Sequence, residues 1–260
     1  MRSVTLITGA SSGIGAELAR VFAEHGHELV LVARREHRLV ELADEIAAAG
    51  RPRPNVLSVD LERPGAVSLL AAELGARDLE PANVVNNAGF GLVGEALRLD
   101  RNEQLAMIDL NVRALTELSL AFTDSLARHR GGILNVASLA AFLPGPGMAV
   151  YYASKAYVLS FSEALHHELA GLGVRVTALC PGPVATGFQA RAGLQRDNLR
   201  ILALSARRVA RIGYRGFMRG ERVVVAGIPN RIVASLLRFI PHGLLLSGAD
   251  QRGRSVPRRS

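Results

Sequence analysis

Short apolar runs rich in β-branched residues alternate along the chain with longer segments whose apolar residues recur at helical spacing. The apolar runs predict seven strands, at residues 4–7, 28–32, 55–59, 83–85, 132–136, 174–179 and 222–225. The helical spacing predicts helices at about residues 13–26, 36–49, 64–75, 101–128, 152–171 and 205–219. Several strand runs are almost entirely apolar, which is typical of strands covered on both faces.

This alternation predicts the fold class. A strand followed by a helix and another strand favours right-handed crossovers and parallel pairing. We therefore expect an α/β fold: a doubly wound, seven-stranded, mostly parallel sheet with helices on both faces. One domain should comprise residues 1–227, followed by a variable C-terminal tail at residues 228–260.

The tail begins with a mixed apolar segment, residues 228–248. A helix packed on the domain is the favoured interpretation of this segment. A lid, or an amphipathic segment that touches lipid or a partner, is the less favoured alternative.

Composition narrows the class of protein. A hydrophobic content of 49% and a charged content of 21% are ordinary for a soluble globular domain of 260 residues. The single cysteine, Cys180, excludes an internal disulfide, and the first apolar run is too short for a signal sequence, so we expect a cytoplasmic protein. The net charge is +8, but the arginines are scattered and aromatic residues make up only 5%, so no nucleic-acid partner is predicted.

A glycine-rich turn at residues 8–15 joins the first strand to the first helix. Glycines let the backbone approach a pyrophosphate, and the helix N-terminus presents free N–H groups to it. The spacing is G-x-x-x-G-x-G, which differs from the common G-x-G-x-x-G dinucleotide motif. The predicted phosphate-binding residues are Gly9, Ser11, Ser12, Gly13, Ile14 and Gly15.

The end of the second strand indicates which dinucleotide binds. An acidic residue there would bind the ribose 2′-hydroxyl of NAD, whereas Arg34 and Arg35 stand there in this chain. Guanidinium groups pair with a 2′-phosphate, so NADP(H) is favoured over NAD(H). Asp60 and Leu61, just past the third strand, are further cofactor candidates, with Asp60 placed to accept a hydrogen bond from the adenine amine.

The only lysine among the 31 basic residues is Lys155, four residues after Tyr151. Positions i and i+4 share one face of a helix, so the phenol and the amine should lie close together. An ammonium about 4 Å from a phenolate, at an effective dielectric of about 20, would lower the tyrosine pKa by at most about three units, because desolvation opposes it. Tyr152, three residues before the lysine, is the competing tyrosine.

Six motifs in order resemble the short-chain dehydrogenase/reductase family in its single-domain form, over residues 3–226. They are the turn at 8–15, residues 86–89 after the fourth strand, Asn111 in the fourth helix, Ser138 thirteen residues before Tyr151, Tyr151 with Lys155, and residues 181–186 after the sixth strand. This resemblance implies a Rossmann-type sheet. It also adds cofactor-binding residues to the glycine turn: Asn87, Ala88, Gly89, Tyr151, Lys155, Pro181, Gly182, Val184 and Thr186.

The resemblance further implies catalytic roles. Tyr151 would protonate the nascent alkoxide, and Ser138 would donate a hydrogen bond to the substrate oxygen. Lys155 would lower the tyrosine pKa and bind the nicotinamide ribose, and Asn111 would hold a water that links Lys155 to solvent. Residues 181–186 would grip the carboxamide of the cofactor. No metal is implied.

The predicted function is NADP(H)-dependent interconversion of a carbonyl and a secondary alcohol on a hydrophobic substrate. The alternative is a cofactor-binding sensor or scaffold without turnover. Residues 143–148 and 186–204, with the tail nearby, should line the substrate side. Arginines at 191, 196 and 200 suggest an anionic end on the substrate, such as an acyl thioester in lipid metabolism. The family often pairs the helices at 101–128 and 152–171, so a homodimer or homotetramer is expected.

Overall fold

Seven parallel strands form one sheet in the computed structural model, which describes residues 1–184 and 203–237. The strands are β1 (Arg2–Thr8), β2 (Leu29–Ala33), β3 (Asn55–Ser58), β4 (Leu79–Asn86), β5 (Gly132–Val136), β6 (Arg175–Cys180) and β7 (Val223–Val225). Their order is β3-β2-β1-β4-β5-β6-β7, and every neighbouring pair is parallel. The predicted strands and the Rossmann-type fold class are confirmed.

The helices follow the predicted segments with one interruption. They are α1 (Gly13–Glu24), α2 (Glu36–Ala48), α3 (Ala66–Ala76), α4 (Arg101–Ile108), α5 (Leu115–Ala121), α6 (Thr123–Arg128), α7 (Ala149–Ala170), α8 (Ala206–Met218) and α9 (Ile228–Leu237). The long helix expected at 101–128 contains a π-helical segment, Asp109–Ala114, and a break at Phe122. Helix α7 begins three residues earlier than expected, so Tyr151 lies in its first turn.

Both faces of the sheet are covered because successive residues of each central strand point to opposite sides. In β2, Leu29 and Leu31 pack with α1, α2 and α8, whereas Val30 and Val32 pack with α3 to α7. Burial of each such side chain contributes about 1.5–3 kcal/mol to folding. This explains why the strand runs are almost continuously apolar.

Polar side chains on β4 and β5 are hydrogen-bonded to each other and to two neighbouring helices. Asn86 donates to Asn135 at 2.9 Å and to Ser119 of α5 at 3.0 Å. Asn135 in turn donates to Ser162 of α7 at 2.9 Å. A buried amide group destabilises the folded state unless it is hydrogen-bonded. These side-chain bonds therefore hold β4 and β5 in one register against the two helices.

Strand order reverses between β1 and β4, which places the ligand crevice of this fold at their carboxyl ends. Thr8 ends β1 and Asn86 ends β4, so the glycine turn and the residues after β4 meet at this edge. The predicted site residues of the first half of the chain therefore converge here.

The described part of the tail is a packed helix. Helix α9 buries Asn230 and Ala234, and it contacts β7 and a 3-10 turn at Leu139–Phe142. For residues 228–237 this agrees with the favoured interpretation, whereas residues 238–248 lie outside the described residues. Within the described ranges, none of the helices has the length and apolar character needed to cross a bilayer.

Candidate functional site

The glycine turn is packed directly against the backbone that follows β4. Gly9 has a φ of 63°, and a Cβ built on it would lie 2.8 Å from the Cα of Ala88. A Cβ on Gly15 would lie 2.4 Å from the carbonyl oxygen of Gly9. No side chain fits at either position, so both glycines are required by close approach, and Gly9 is also required by its positive φ.

Thr8 and Asn87 join the two sides of this turn. The Thr8 hydroxyl accepts hydrogen bonds from the backbone N–H groups of Asn87 and Ala88, at 3.0 and 3.1 Å. The Asn87 side chain donates back to the carbonyl oxygens of Thr8 and Gly9, at 3.0 and 3.2 Å. Thr8 was not predicted as a functional residue. Its position directly before the first glycine of the turn is the sequence feature that could have identified it.

The turn presents a positive environment suited to a pyrophosphate. Helix α1 begins at Gly13 after Ser12, and its first turn carries no acidic residue. Arg35 lies over the turn and donates to the hydroxyls of both Ser11 and Ser12 at 3.0 Å. With its exposed helix N-terminus, its close-packed glycines and this arginine, the site fits the phosphates of a dinucleotide.

Arg34 has a different environment from Arg35. Its guanidinium lies 2.9 Å from a carboxylate oxygen of Glu62 and 4.0 Å from one of Asp60. Glu62 was missed by the sequence reasoning, because nothing local showed that its side chain reaches the end of β2. Arg34 is therefore already paired in this structure, while its neighbour faces the phosphate-binding turn.

Asp60 and Leu61, in the loop after β3, have side chains in different environments. The Asp60 carboxylate accepts the backbone N–H of Glu62 at 3.2 Å, which shapes the loop after β3. The Leu61 side chain is buried in the apolar cluster beneath the sheet. Only the backbone of Leu61 is therefore available to a cofactor.

Lys155 is brought beside Tyr151 by the first turns of α7. Its side chain is buried, with 6% of the residue exposed, and Nζ donates to the carbonyl oxygen of Val136 at 2.8 Å. Nζ lies 6.0 Å from the centre of the Tyr151 ring. On the other side, the Tyr151 phenol forms a hydrogen bond with Ser138, which follows the end of β5. Three of the predicted catalytic residues thus form one cluster.

The pKa values in this cluster differ from the sequence-based expectation. Burial raises the pKa of Tyr151 to about 12, although the hydrogen bond with Ser138 opposes the rise. Burial also lowers the pKa of Lys155 to about 8. The expected net lowering of the tyrosine pKa is wrong for this structure, because the rise caused by burial outweighs any lowering by the ammonium. Lys155 loses its charge at a lower pH than Tyr151 ionises, so desolvation dominates both groups.

Asn111 lies in the π-helical segment, and its side-chain amide is hydrogen-bonded to two other segments of the chain. Its Oδ1 accepts the backbone N–H of Phe90 at 3.1 Å, and its Nδ2 donates to the Phe90 carbonyl oxygen at 2.9 Å. Nδ2 also donates to the Ser154 hydroxyl at 3.0 Å. Asn111 therefore ties the loop after β4 to α7, next to Lys155. Single π-helical turns inside longer helices are frequent at functional sites.

Tyr152 lies edge-on to Tyr151, with ring centres 6.1 Å apart, but its ring packs on a different segment. Its ring packs against Gly145, where a Cβ would lie only 2.3 Å from the nearest ring atom. Tyr152 therefore belongs to the wall formed by residues 143–148. Of the two tyrosines, Tyr151 is the one that contacts Ser138.

The turn at residues 181–184 is held at three points. Its Pro181 and Pro183 carbonyl oxygens accept the backbone N–H groups of Leu139 and Leu204, at 2.9 and 3.2 Å. Gly182, between them, lies against Asn230 of α9. Asn230 was also missed, because no local pattern marks it. Thr186 lies outside the described residues.

Comparison with known proteins agrees with this geometry. The family model of the short chain dehydrogenases matches residues 3–197. Sulfoacetaldehyde reductase 2 of Chromohalobacter salexigens is 40% identical over 191 residues, covering 72% of this chain and 75% of that protein. The NADP-dependent 3-hydroxy acid dehydrogenase YdfG of Salmonella typhimurium is 37% identical over 185 residues, covering 70% and 72%.

The fold is also shared with solved structures. A short-chain dehydrogenase from Sphingobium yanoikuyae in complex with NADPH superposes with a TM-score of 0.79 at 32% identity, covering 100% of this chain and 98% of that one. The chain belongs to the short-chain dehydrogenase/reductase family and is an NAD(P)-dependent oxidoreductase of that family.

Proposed function

We propose that the protein is an NADP(H)-dependent reductase that interconverts a carbonyl and a secondary alcohol on a hydrophobic substrate. One observation carries the proposal: the Tyr151 phenol, hydrogen-bonded to Ser138, stands beside the buried Lys155 at the edge of the sheet that carries the glycine turn. The arrangement combines a proton donor, an oxyanion contact and a cation at the mouth of a dinucleotide site.

The residues have distinct roles in this proposal. The residues of the glycine turn would hold the dinucleotide, whose reduced nicotinamide would supply hydride to the carbonyl carbon. Tyr151 gives its proton to the carbonyl oxygen, and Ser138 donates a hydrogen bond to the same oxygen. Lys155, still protonated at neutral pH with a pKa of about 8, stabilises the phenolate that remains. Asn111 holds the start of α7 in place, and we retain its role in a water link from Lys155 to solvent.

The pKa of Tyr151 fits a role as proton donor. At about 12, this pKa keeps the phenol protonated throughout the neutral range, which is the form that carbonyl reduction uses. The preference for reduction in a cell rests instead on the proposed use of NADP(H).

The described wall beside Tyr151 supports an apolar substrate. Leu143, Pro144 and Met148 are half-buried along residues 143–148. This segment is fixed to the loop after β4, because the Gly94 N–H donates to the Gly147 carbonyl oxygen at 2.7 Å. The names of the relatives indicate a second candidate class, since sulfoacetaldehyde and 3-hydroxy acids are small anions.

A substrate panel tests the proposed function. NADPH consumption is measured with aliphatic ketones, 3-oxoacyl thioesters and steroids, and with short carbonyl compounds that carry a sulfonate or carboxylate. Turnover of the apolar ketones or steroids supports the proposal. Turnover confined to the short anions would replace the hydrophobic substrate class. NADPH binding without any turnover would favour the sensor or scaffold.

Removing the arginines at the end of β2 should change the cofactor preference. We expect Arg34→Ala and Arg35→Ala each to raise the Kd for NADPH by about 10–100-fold, because each loses a charge-assisted contact with the 2′-phosphate. The Kd for NADH should change by less than about threefold in Arg34→Ala, since NADH lacks that phosphate, and by more in Arg35→Ala, because Arg35 also lies over the turn that would receive the pyrophosphate. The measurement is a fluorescence titration with both dinucleotides.

Arg53→Ala is the matched control, because Arg53 is an exposed arginine paired with Asp44 at 2.8 Å away from the glycine turn. It should bind both dinucleotides like the wild type. A wild-type preference for NADH would show that the interpretation of Arg34 and Arg35 is wrong.

We also propose that the enzyme acts in the cytoplasm as a homodimer or homotetramer. The oligomer is supported by a set of exposed apolar side chains on α4, α5 and α7: Leu105, Ile108, Leu120 and Tyr157. Single apolar residues on a surface are common, but four on adjacent helices favour a covered face. Light scattering after size-exclusion chromatography would reveal a monomer if this proposal is wrong.

A further inference from the structure

Asn230 of α9 is almost completely buried, with 1% of its surface exposed, and it lies directly against Gly182. A Cβ built on Gly182 would lie 2.6 Å from Nδ2 and 2.7 Å from Oδ1 of Asn230. Both distances are far shorter than a normal contact. The amide of Asn230 therefore fills the place that a side chain at position 182 would need, and the two positions are sterically coupled.

A hydrogen bond to the backbone fixes the Asn230 side chain. Its Nδ2 donates to the carbonyl oxygen of Ala226 at 2.6 Å. The backbone N–H of Ala226 donates to the carbonyl oxygen of Cys180 at 3.2 Å. Because Ala226 follows β7 and Cys180 ends β6, Asn230 is anchored to the edge of the sheet. Its position is set by the rigid part of the fold.

Asn230 lies against Gly182, between two points of the turn that backbone hydrogen bonds hold. The carbonyl oxygens of Pro181 and Pro183 are held by Leu139 and Leu204, on either side of Gly182. Leu139 follows Ser138, so the same turn is tied to the catalytic cluster. Displacement of Gly182 would therefore move the cofactor side of the site and the Ser138 segment together.

We propose that Asn230 is a positioning residue for the 181–184 turn, through which helix α9 sets the place of the nicotinamide end of the cofactor. This rests on the proposed function, because that turn is the one assigned to the carboxamide. Asn230 acts through Gly182 and has no assigned contact with substrate. The C-terminal tail thus contributes to the site from a region to which the family resemblance assigned no role.

A suppression experiment tests this coupling. Gly182→Ala should raise the Kd for NADPH and lower kcat, each on the order of tenfold, because the new methyl group collides with Asn230. Asn230→Ala alone should raise that Kd and lower kcat by about threefold to tenfold. In the double variant, the shorter side chain at position 230 leaves room for the methyl group. The double variant should therefore have the Kd and kcat of Asn230→Ala, or values closer to those of the wild type, even though it carries two substitutions.

Ile232→Ala is the control on the same helix, since the Ile232 side chain is exposed. It should leave the Kd and kcat unchanged. Circular dichroism and thermal unfolding identify variants that are merely misfolded, and Asn230→Ala supplies a test even if Gly182→Ala does not fold. Additive losses in the double variant, or a wild-type Kd and kcat for Asn230→Ala, would overturn the proposal.

The fluorescence titration keeps this test separate from the proposed function. It reports NADPH binding whether or not a substrate is turned over. A wild type that fails to bind NADPH would contradict the proposed function. A wild type that binds it, with additive variants, would contradict only the role of Asn230.

Discussion

Replacing Tyr151 by phenylalanine is expected to lower kcat for carbonyl reduction by about 10²–10⁴-fold, because the proton donor to the carbonyl oxygen is lost. The Kd for NADPH should stay within about threefold, since the ring that remains still fills the same space. Stopped-flow or steady-state NADPH consumption gives kcat, and fluorescence titration gives the Kd. The variant should therefore separate chemistry from binding.

Tyr152→Phe is the matched control for this experiment. It removes the same hydroxyl from the adjacent tyrosine, whose ring packs against Gly145 instead of approaching Ser138. We expect its kcat to remain within about fivefold of the wild type, because general acid catalysis is not removed. If Tyr152→Phe lost activity and Tyr151→Phe kept it, the assignment of the proton donor would be reversed.

Replacing Lys155 by methionine is expected to abolish most of the activity while making the fold more stable. At 6.0 Å from the centre of the Tyr151 ring and an effective dielectric of about 20, the ammonium stabilises a phenolate by about 3 kcal/mol. Its loss should lower kcat roughly 100-fold. Burial of the amine opposes folding, because it lowers the Lys155 pKa from 10.5 to about 8.

The size of the stability change follows from the same pKa. A fall from 10.5 to about 8 corresponds to about 3 kcal/mol that the folded state loses at pH 7. Methionine avoids this loss but leaves the Val136 carbonyl oxygen without its donor, which costs about 1 kcal/mol. We therefore expect the free energy of unfolding to rise by about 2 kcal/mol in Lys155→Met at pH 7.

The sign of the pH dependence is determined by which state binds the proton more tightly. Between pH 8 and 10.5 the unfolded chain keeps the Lys155 proton and the folded chain releases it. Wild-type stability therefore gains a contribution as pH rises through this window, and the advantage of Lys155→Met shrinks. Urea denaturation of both proteins at about pH 7 and about pH 9.5 measures the difference. A less stable Lys155→Met at pH 7 would contradict this account.

The order and type of the elements could be read from the sequence because they depend on local periodicity. Leu29 to Val32 form an uninterrupted apolar run, and the structure buries that run on both faces of the sheet. The same holds for the glycine turn, which joins β1 to α1 as expected. The convergence of Ser138, Tyr151 and Lys155 followed from the order of the family's motifs.

Local pattern could not reveal contacts between distant segments. The pairing of Arg34 with Glu62 depends on how the loop after β3 folds back against β2. The bonds from the Asn111 amide to Phe90 and Ser154 depend on how the long helix packs against the loop after β4 and α7. Asn230 reaches Gly182 only because α9 packs beside the end of β6. Each of these contacts joins residues that are far apart in the chain or depends on a packed neighbour.

By itself, the sequence determined the α/β architecture, the glycine turn between β1 and α1, and a phenol and an amine one helical turn apart. Only the tertiary structure decided how those two groups titrate, because desolvation depends on every neighbour that excludes water from them. It raised the pKa of Tyr151 and lowered that of Lys155, where sequence reasoning had weighed the charge between them most heavily. It also placed Asn230 of the C-terminal helix against Gly182, since steric exclusion at Gly182 arises only after the chain has folded.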